Sequence, residues 1–222
     1  MTSREEWSQV DRGIENILSL NGGFYRDDIY MALTTAGLLP RQTEDLVRLY
    51  AEELSWDAAA ERWHEERRAG RGSRESAQKI LHLIRERLNA ADEALPSLRR
   101  LADLLDVTTS SRARSQVLYL YLLEADALVR YVLHALLRDQ GVDRPQWDLS
   151  KSTIRRYLQV FRYEDGAGLE YADSTLDRWA QGLRSVLSEI GARESNYADQ
   201  GVTPSLQEMP LAVSAGFSWH RI

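Results

Sequence analysis

The feature that most constrains this sequence is an apolar stretch near its middle. Residues 117–137 contain 17 apolar residues out of 21, together with Glu124, Asp126, Arg130 and His134. Four ionisable groups in one span are too costly in lipid, so this stretch does not predict a membrane segment. Asp126, Arg130 and His134 are spaced four residues apart and would share one helix face. The pattern therefore predicts one long central helix that other helices bury on most sides.

The composition favours helices in the rest of the chain as well. The 222 residues are 43% apolar and include only 5 prolines and 13 glycines, so long helices are expected rather than many short strands. There is no cysteine, which excludes a thiolate nucleophile, a redox pair and a Cys-ligated metal site. We therefore expect an all-α fold, a multi-helix bundle packed around the central helix.

Apolar residues at helical spacing predict the other elements of this bundle. The predicted helices cover Thr43–Leu54, Trp56–Arg68, Ser73–Ala90 and Pro96–Leu105, with two more beginning after Ser150 and at Ser174. The polar gap at residues 106–110 predicts an N-terminal helical region over residues 1–106 and a second region over residues 107–222. A boundary after Gly141 is the alternative, and the two regions could also form one compact domain. The C-terminal residues 192–222 have no helical period and are predicted to be extended.

The sequence contains no recognisable targeting, catalytic or cofactor-binding motif. The N-terminal residues 1–7 are charged and lack an apolar segment, so we expect a cytoplasmic protein that does not bind a membrane. The histidines His64, His82, His134 and His220 do not have the spacing of metal ligands. There is also no phosphate-binding glycine loop and no Gly-x-Ser-x-Gly motif. We expect no enzymatic activity, no metal, no cofactor and no small-molecule substrate.

Positive charge is concentrated in two stretches of an otherwise acidic chain. The formal net charge is −6, yet residues 67–87 hold seven basic and two acidic residues, and residues 144–162 hold five and one. This segregation suits a phosphate-binding surface on a protein that resists indiscriminate coating of DNA. The candidate DNA-binding residues are Arg67, Arg68, Arg71, Arg74, Lys79, Arg85, Lys151, Arg155, Arg156 and Arg162. Pairing of these side chains with acidic faces of neighbouring helices is the alternative explanation.

One arginine of the first stretch is predicted to have a structural role instead. On a helical wheel Arg87 borders the apolar stripe formed by Ile80, Ile84 and Leu88. A guanidinium in that position needs a partner inside the protein, and we expect a buried or half-buried carboxylate.

The order of several motifs resembles a known family. The motifs are Gly37-Leu38-Leu39, Trp56, Arg74-x-Ser76-Ala77-x-Lys79-Ile80, Arg85-x-Arg87-Leu88, the long apolar stretch, Ser174-Thr175 and Ser188-Glu189-Ile190-Gly191. Over about residues 24–211 this order resembles the BrxA family of BREX phage-exclusion systems. The resemblance implies an all-helical, DNA-binding component of a multi-protein defence system, with other phage-defence proteins as partners. It also implies that Arg74, Lys79 and Arg85, which match the family's basic helix, contact phosphates.

Three functional hypotheses follow from the sequence. In the first, the protein binds double-stranded DNA through its phosphates and is an accessory subunit of a phage-defence complex. In the second, it is an interaction scaffold that does not touch nucleic acid, and its arginines form internal ion pairs. In the third, it is a helical RNA-binding protein. Phosphate contacts are common to DNA and RNA, so the sequence does not separate the first hypothesis from the third.

Overall fold

A computed structural model describes residues 24–26, 29, 31–70, 73–89, 95–141 and 147–192. Within these ranges the chain forms helices joined by turns, without a β-strand, so the predicted all-α fold is confirmed. A short 3₁₀ turn at Ala32–Thr34 comes before the helices. The helices are α1 (Pro40–Glu53), α2 (Trp56–Glu65), α3 (Arg74–Asn89), α4 (Leu98–Val107), α5 (Ser111–Ala125), α6 (Ala127–Gln140), α7 (Lys151–Val160) and α8 (Asp173–Glu189). Apart from Ala192, the predicted extended C-terminal segment lies outside the described residues.

The contacts between residues divide the described chain into two units. The continuous unit consists of the described residues of 35–125 and contains α1 to α5. The discontinuous unit consists of the described residues of 24–34 and 126–192 and contains α6 to α8. The predicted boundary between residues 106 and 107 falls inside the continuous unit. There the Tyr121 hydroxyl of α5 donates to the carbonyl of Pro96, just before α4, at 2.5 Å.

The predicted central helix over residues 117–137 is divided into two helices, which corrects that prediction. Asp126 has an extended backbone (φ −117°, ψ 96°), and its carboxylate accepts a hydrogen bond from the Val129 amide at 3.0 Å. An aspartate in this position caps the N-terminus of a helix, so α5 ends at Ala125 and α6 begins at Ala127. Most of the stretch is buried, as predicted, but its two halves belong to different units.

In the continuous unit, α1 packs against α2, α4 and α5, while α3 packs against α2 and α5. Trp63, Leu46, Ile84 and Leu101 are fully buried between these helices. Each such side chain contributes about 2 kcal/mol through its removal from water.

In the discontinuous unit, α7 packs against α6 and α8, and α8 also packs against the 3₁₀ turn. The buried face of α8 includes Trp179, Leu183 and Val186. A Cβ atom added at Gly182 would lie 2.4 Å from the carbonyl oxygen of Leu33, which is far inside van der Waals contact. Glycine at this position therefore allows the backbone of the 3₁₀ turn to lie directly on α8.

Candidate nucleic-acid interface

The turn after α2 presents two neighbouring candidate arginines in different ways. Arg67 is exposed and has a left-handed backbone (φ 51°), and its amide donates to the His64 carbonyl at 3.1 Å. Arg68 is half-buried and forms ion pairs with Glu66 at 2.5 Å and Asp45 at 3.4 Å. Arg67 thus projects toward solvent, whereas Arg68 links this turn to α1. Arg71 lies outside the described residues.

The exposed face of α3 carries both signs of charge. Lys79 pairs with Glu75 at 2.7 Å, and this hydrogen bond raises the pKa of Lys79 and lowers that of Glu75. One turn further on, the His82 ring lies 3.4 Å from Glu86. Arg74, the first residue of α3, is exposed and has no carboxylate partner among the described residues. On the exposed face of α3, the positive charge that no carboxylate neutralises therefore lies at the N-terminal end of the helix.

The last two arginines of this stretch, Arg85 and Arg87, contact other residues of the continuous unit. The Arg85 guanidinium lies 5.6 Å from the ring centroid of Trp56 and 3.8 Å from an Asp57 carboxylate oxygen, so it is held on α2. Arg87 is only 7% exposed and donates to the carbonyl oxygens of Gly37 at 2.7 Å and Ala36 at 3.3 Å. The predicted burial of Arg87 is confirmed. These two partners are backbone carbonyls, whereas the sequence predicted a carboxylate.

In the second basic stretch, two residues are paired with acidic residues of α8. Lys151 lies 2.7 Å from Asp177, and Arg155 bonds to Asp173 at 2.5 Å and Asp177 at 3.0 Å. The hydrogen bond from Lys151 is the main reason why the pKa of Asp177 is lowered. The hydrogen bond to Asp173 is the main reason why the pKa of Arg155 is raised. These contacts join α7 to α8.

The other two candidate residues of this stretch, Arg156 and Arg162, have no acidic hydrogen-bond or ion-pair partner in the part of the chain that the structure describes. Arg156 is exposed, and its guanidinium lies 5.3 Å from the ring centroid of Tyr157. Arg162 follows α7 and donates to the carbonyls of Phe161 at 2.6 Å and Gln159 at 2.9 Å, at the C-terminal end of the helix. Guanidinium has five N–H donors, so both side chains retain donors for a phosphate.

The ten candidates therefore fall into three groups. Five have a carboxylate partner: Arg68, Lys79, Arg85, Lys151 and Arg155. Four have none among the described residues and are exposed: Arg67, Arg74, Arg156 and Arg162. Arg71 is the tenth. Four of the first group pair with a neighbouring helix, as the alternative explanation supposes, whereas Lys79 pairs within α3.

The candidate set from the sequence omitted exposed arginines outside the two densest basic stretches. Arg99, Arg100 and Arg112 are exposed on α4 and α5, without a carboxylate partner in the described ranges. Arg138, at the end of α6, is exposed and pairs with its neighbour Asp139 at 3.0 Å. The sequence places Arg138 two helical turns after Tyr131, so an arginine and a tyrosine are expected on the same face of α6.

Among the described residues, no group of three His, Cys, Asp or Glu side chains is arranged to hold a metal ion. A small cavity of about 10 Å³ in the continuous unit is lined by residues that include Thr43, Arg87 and Tyr121. A space of this size is about enough for one water molecule and too small for an organic ligand. Within the described ranges, no helix has the length and apolar character needed to cross a membrane.

The fold and its charged surfaces define an all-α protein whose exposed arginines divide into carboxylate-bound and available groups. A model of the BrxA family matches residues 29–208, and the chain therefore belongs to the BrxA family. This family makes it a component of a BREX phage-defence system, with other defence proteins as partners. No curated protein and no solved structure matches the chain.

Proposed function

We propose that this BrxA-family protein is a cytoplasmic, non-enzymatic accessory subunit that binds double-stranded DNA through its phosphates. The supporting observation is the group of four exposed candidate arginines that have no carboxylate partner in the described chain, Arg67, Arg74, Arg156 and Arg162. Guanidinium forms bidentate contacts with phosphate, and such contacts contribute to affinity for any DNA sequence. Two of the four lie on each unit, so each unit carries its own phosphate-binding surface.

The carboxylate-bound candidates contribute less to this proposed interface. A phosphate that approaches Arg155 or Lys79 must displace or accommodate the acidic partner, and the pair is nearly neutral when seen from a distance. Exposed ion pairs are individually weak, so this competition reduces the contribution to DNA affinity without abolishing it. The available arginines should therefore dominate the dependence of binding on salt.

The experiment is a titration of a fluorescein-labelled 20-base-pair duplex by anisotropy at several salt concentrations. Each lost phosphate contact should reduce the slope of log affinity against log salt by about 0.9. We expect the variants R67Q/R74Q and R156Q/R162Q each to lower the slope by roughly 1.8. The matched control K79Q/R155Q also removes two positive charges, yet it should lower the slope by much less.

Two results would overturn the proposal. One is that the wild-type protein fails to bind the duplex even at low salt. The other is that the control lowers the slope as much as the two test variants do. A wild-type protein that binds other defence proteins but not the duplex would favour the scaffold hypothesis, which the five ion-paired candidates support. A duplex RNA of the same length in parallel tests the RNA hypothesis.

A further inference from the structure

An aromatic cluster in the discontinuous unit extends from the core to the surface. The Tyr131 ring meets the rings of Phe161 and Phe24 edge to face, with centroid distances of 4.9 and 5.8 Å. Phe161 is completely buried, whereas Tyr131 and Phe24 are half-buried. Tyr131 therefore reaches solvent while its neighbours in the core fix its orientation.

Two arginines lie close to this tyrosine, and a third lies by the neighbouring carboxylate of Asp139. Arg138 lies two helical turns after Tyr131 on the same face of α6, and Arg162 directly follows the contacting Phe161. Burial raises the pKa of Tyr131, and the charges of Arg138 and Arg162 oppose that change, as expected for nearby cations. Arg156 and Arg138 both act on Asp139, whose pKa is lowered mainly by the hydrogen bond from Arg138. Tyr131, Arg138, Arg156 and Arg162 together are called the arginine–tyrosine surface.

The arginine–tyrosine surface can bind two chemical groups, an anion and a flat ring, that occur together in one class of ligand. Three guanidinium groups against two carboxylates, those of Asp139 and Asp148, leave an excess of positive charge that favours an anionic ligand. A fixed, half-exposed aromatic ring favours a flat ring that stacks on it. Nucleic acid with unpaired bases offers both groups at short spacing, because each phosphate is accompanied by a base with an open π-face. In a duplex the bases are already stacked on each other and cannot use the tyrosine.

We propose that the arginine–tyrosine surface binds single-stranded nucleic acid, with phosphates on the arginines and an unpaired base on Tyr131. This inference rests on the proposed nucleic-acid function and narrows its substrate for the discontinuous unit. Duplex binding through phosphates needs no aromatic side chain, so the two ideas predict different results for ligands without bases.

The test compares three fluorescein-labelled DNA ligands by anisotropy: dT20, a 20-unit abasic chain with the same phosphates, and the 20-base-pair duplex. The wild-type protein should bind dT20 roughly tenfold more tightly than the abasic chain, which is the size expected for one base stacked on an aromatic ring. Tyr131→Leu should lose this preference, while Tyr131→Phe should keep it. The matched control is Tyr171→Leu, which removes another exposed tyrosine of the same unit and should leave the preference unchanged.

The arginines are tested with the same ligands. Arg162→Gln, which removes an arginine of this surface that no carboxylate holds, should weaken binding of dT20 and of the abasic chain equally, because it removes a phosphate contact and leaves the stack. The control Arg178→Gln, at an exposed arginine of α8, should affect both much less. A parallel arm with rU20 shows whether the surface distinguishes the two sugars.

The comparison in the wild-type protein is decisive even if a tyrosine variant fails to fold. Equal affinity for dT20 and the abasic chain overturns this inference and leaves duplex binding intact. Binding of the duplex without binding of dT20 has the same meaning. Absence of binding to all three ligands overturns the proposed function as well.

Discussion

The continuous and the discontinuous unit both carry arginine-rich surfaces, yet they stabilise their interiors in different ways. In the continuous unit, the charged side chain of Arg87 is buried and holds the backbone of residues 36 and 37 against α3 through two hydrogen bonds. In the discontinuous unit, the N-terminal segment is held on α8 by a close backbone approach at Gly182. One attachment depends on a charged hydrogen-bond donor, and the other depends on the absence of a side chain. The two attachments should therefore respond to opposite kinds of substitution.

The largest effect is expected from removal of the buried donor in the continuous unit. Arg87→Met keeps most of the apolar volume but leaves the buried carbonyl of Ala36 and the half-buried carbonyl of Gly37 without these hydrogen bonds. Unsatisfied buried polar groups are costly, and we expect the free energy of unfolding to fall by about 3 kcal/mol. Urea denaturation followed by circular dichroism measures this change.

The control for this prediction is Arg74→Met on the same helix. Arg74 is exposed, so its substitution should change the free energy of unfolding by no more than about 0.5 kcal/mol. If both variants lose the same stability, the contrast between a structural and a surface arginine on α3 is wrong.

The next effect, in the discontinuous unit, comes from adding a side chain. Gly182→Ala places a Cβ atom 2.4 Å from the Leu33 carbonyl oxygen, so the 3₁₀ turn must move away from α8. Overpacking of this kind costs about 1–3 kcal/mol, and it is partly offset by the higher helix propensity of alanine. We expect a net loss of up to about 2 kcal/mol in urea denaturation.

Ser185→Ala on the exposed side of α8 is the matched helix-propensity control and should be neutral or slightly stabilising. A stabilising effect of Gly182→Ala comparable to that of this control would mean that the 3₁₀ turn does not lie closely on α8. The contrast between the two units would then be lost.

The burial of Arg87 could be predicted from the sequence, whereas the segment that packs on Gly182 could not. Arg87 lies on the apolar side of a helix whose period is clear, so its burial follows from spacing alone. The hydrogen bonds of Arg87 to Gly37 and Ala36 could not be predicted, because these acceptors are backbone carbonyls 50 and 51 positions away in the chain. Gly182 occurs within an amphipathic pattern, and a glycine there indicates a close approach without indicating which segment approaches. Asp126 carries a sequence signal of its own, because an aspartate in front of an apolar run predicts a helix N-cap.

In the candidate site, the exposure of charged side chains could be predicted from the sequence, but most of their partners could not. The exposure of Arg74, Lys79 and Arg156 could be predicted from the helical wheel, because the apolar stripe fixes the opposite face. Ion pairing between helices could not be predicted, since it depends on which helix becomes the neighbour, whereas the spacing of Glu75 and Lys79 allows a pair within α3. Arg155 and Arg156 are adjacent in sequence and about 100° apart around α7, so one reaches the acidic residues of α8 and the other does not.

The smallest expected effect concerns these ion pairs between α7 and α8, and it depends on pH. The pKa of Asp177 is lowered in the folded protein, mainly by the hydrogen bond from Lys151. A carboxylate whose pKa is lower in the folded state stabilises the fold above its unfolded pKa of about 3.9, and this stabilisation disappears as the pH falls through the folded value. Asp177→Asn should therefore unfold at a slightly lower urea concentration than the wild type at pH 6, and the difference should shrink toward pH 2.5. The effect is small because the pair is exposed and screened. Asp103→Asn, at an exposed position of α4, should show no such convergence, and a difference for Asp177→Asn that stays constant between the two pH values would mean that its ion pairs do not stabilise the discontinuous unit.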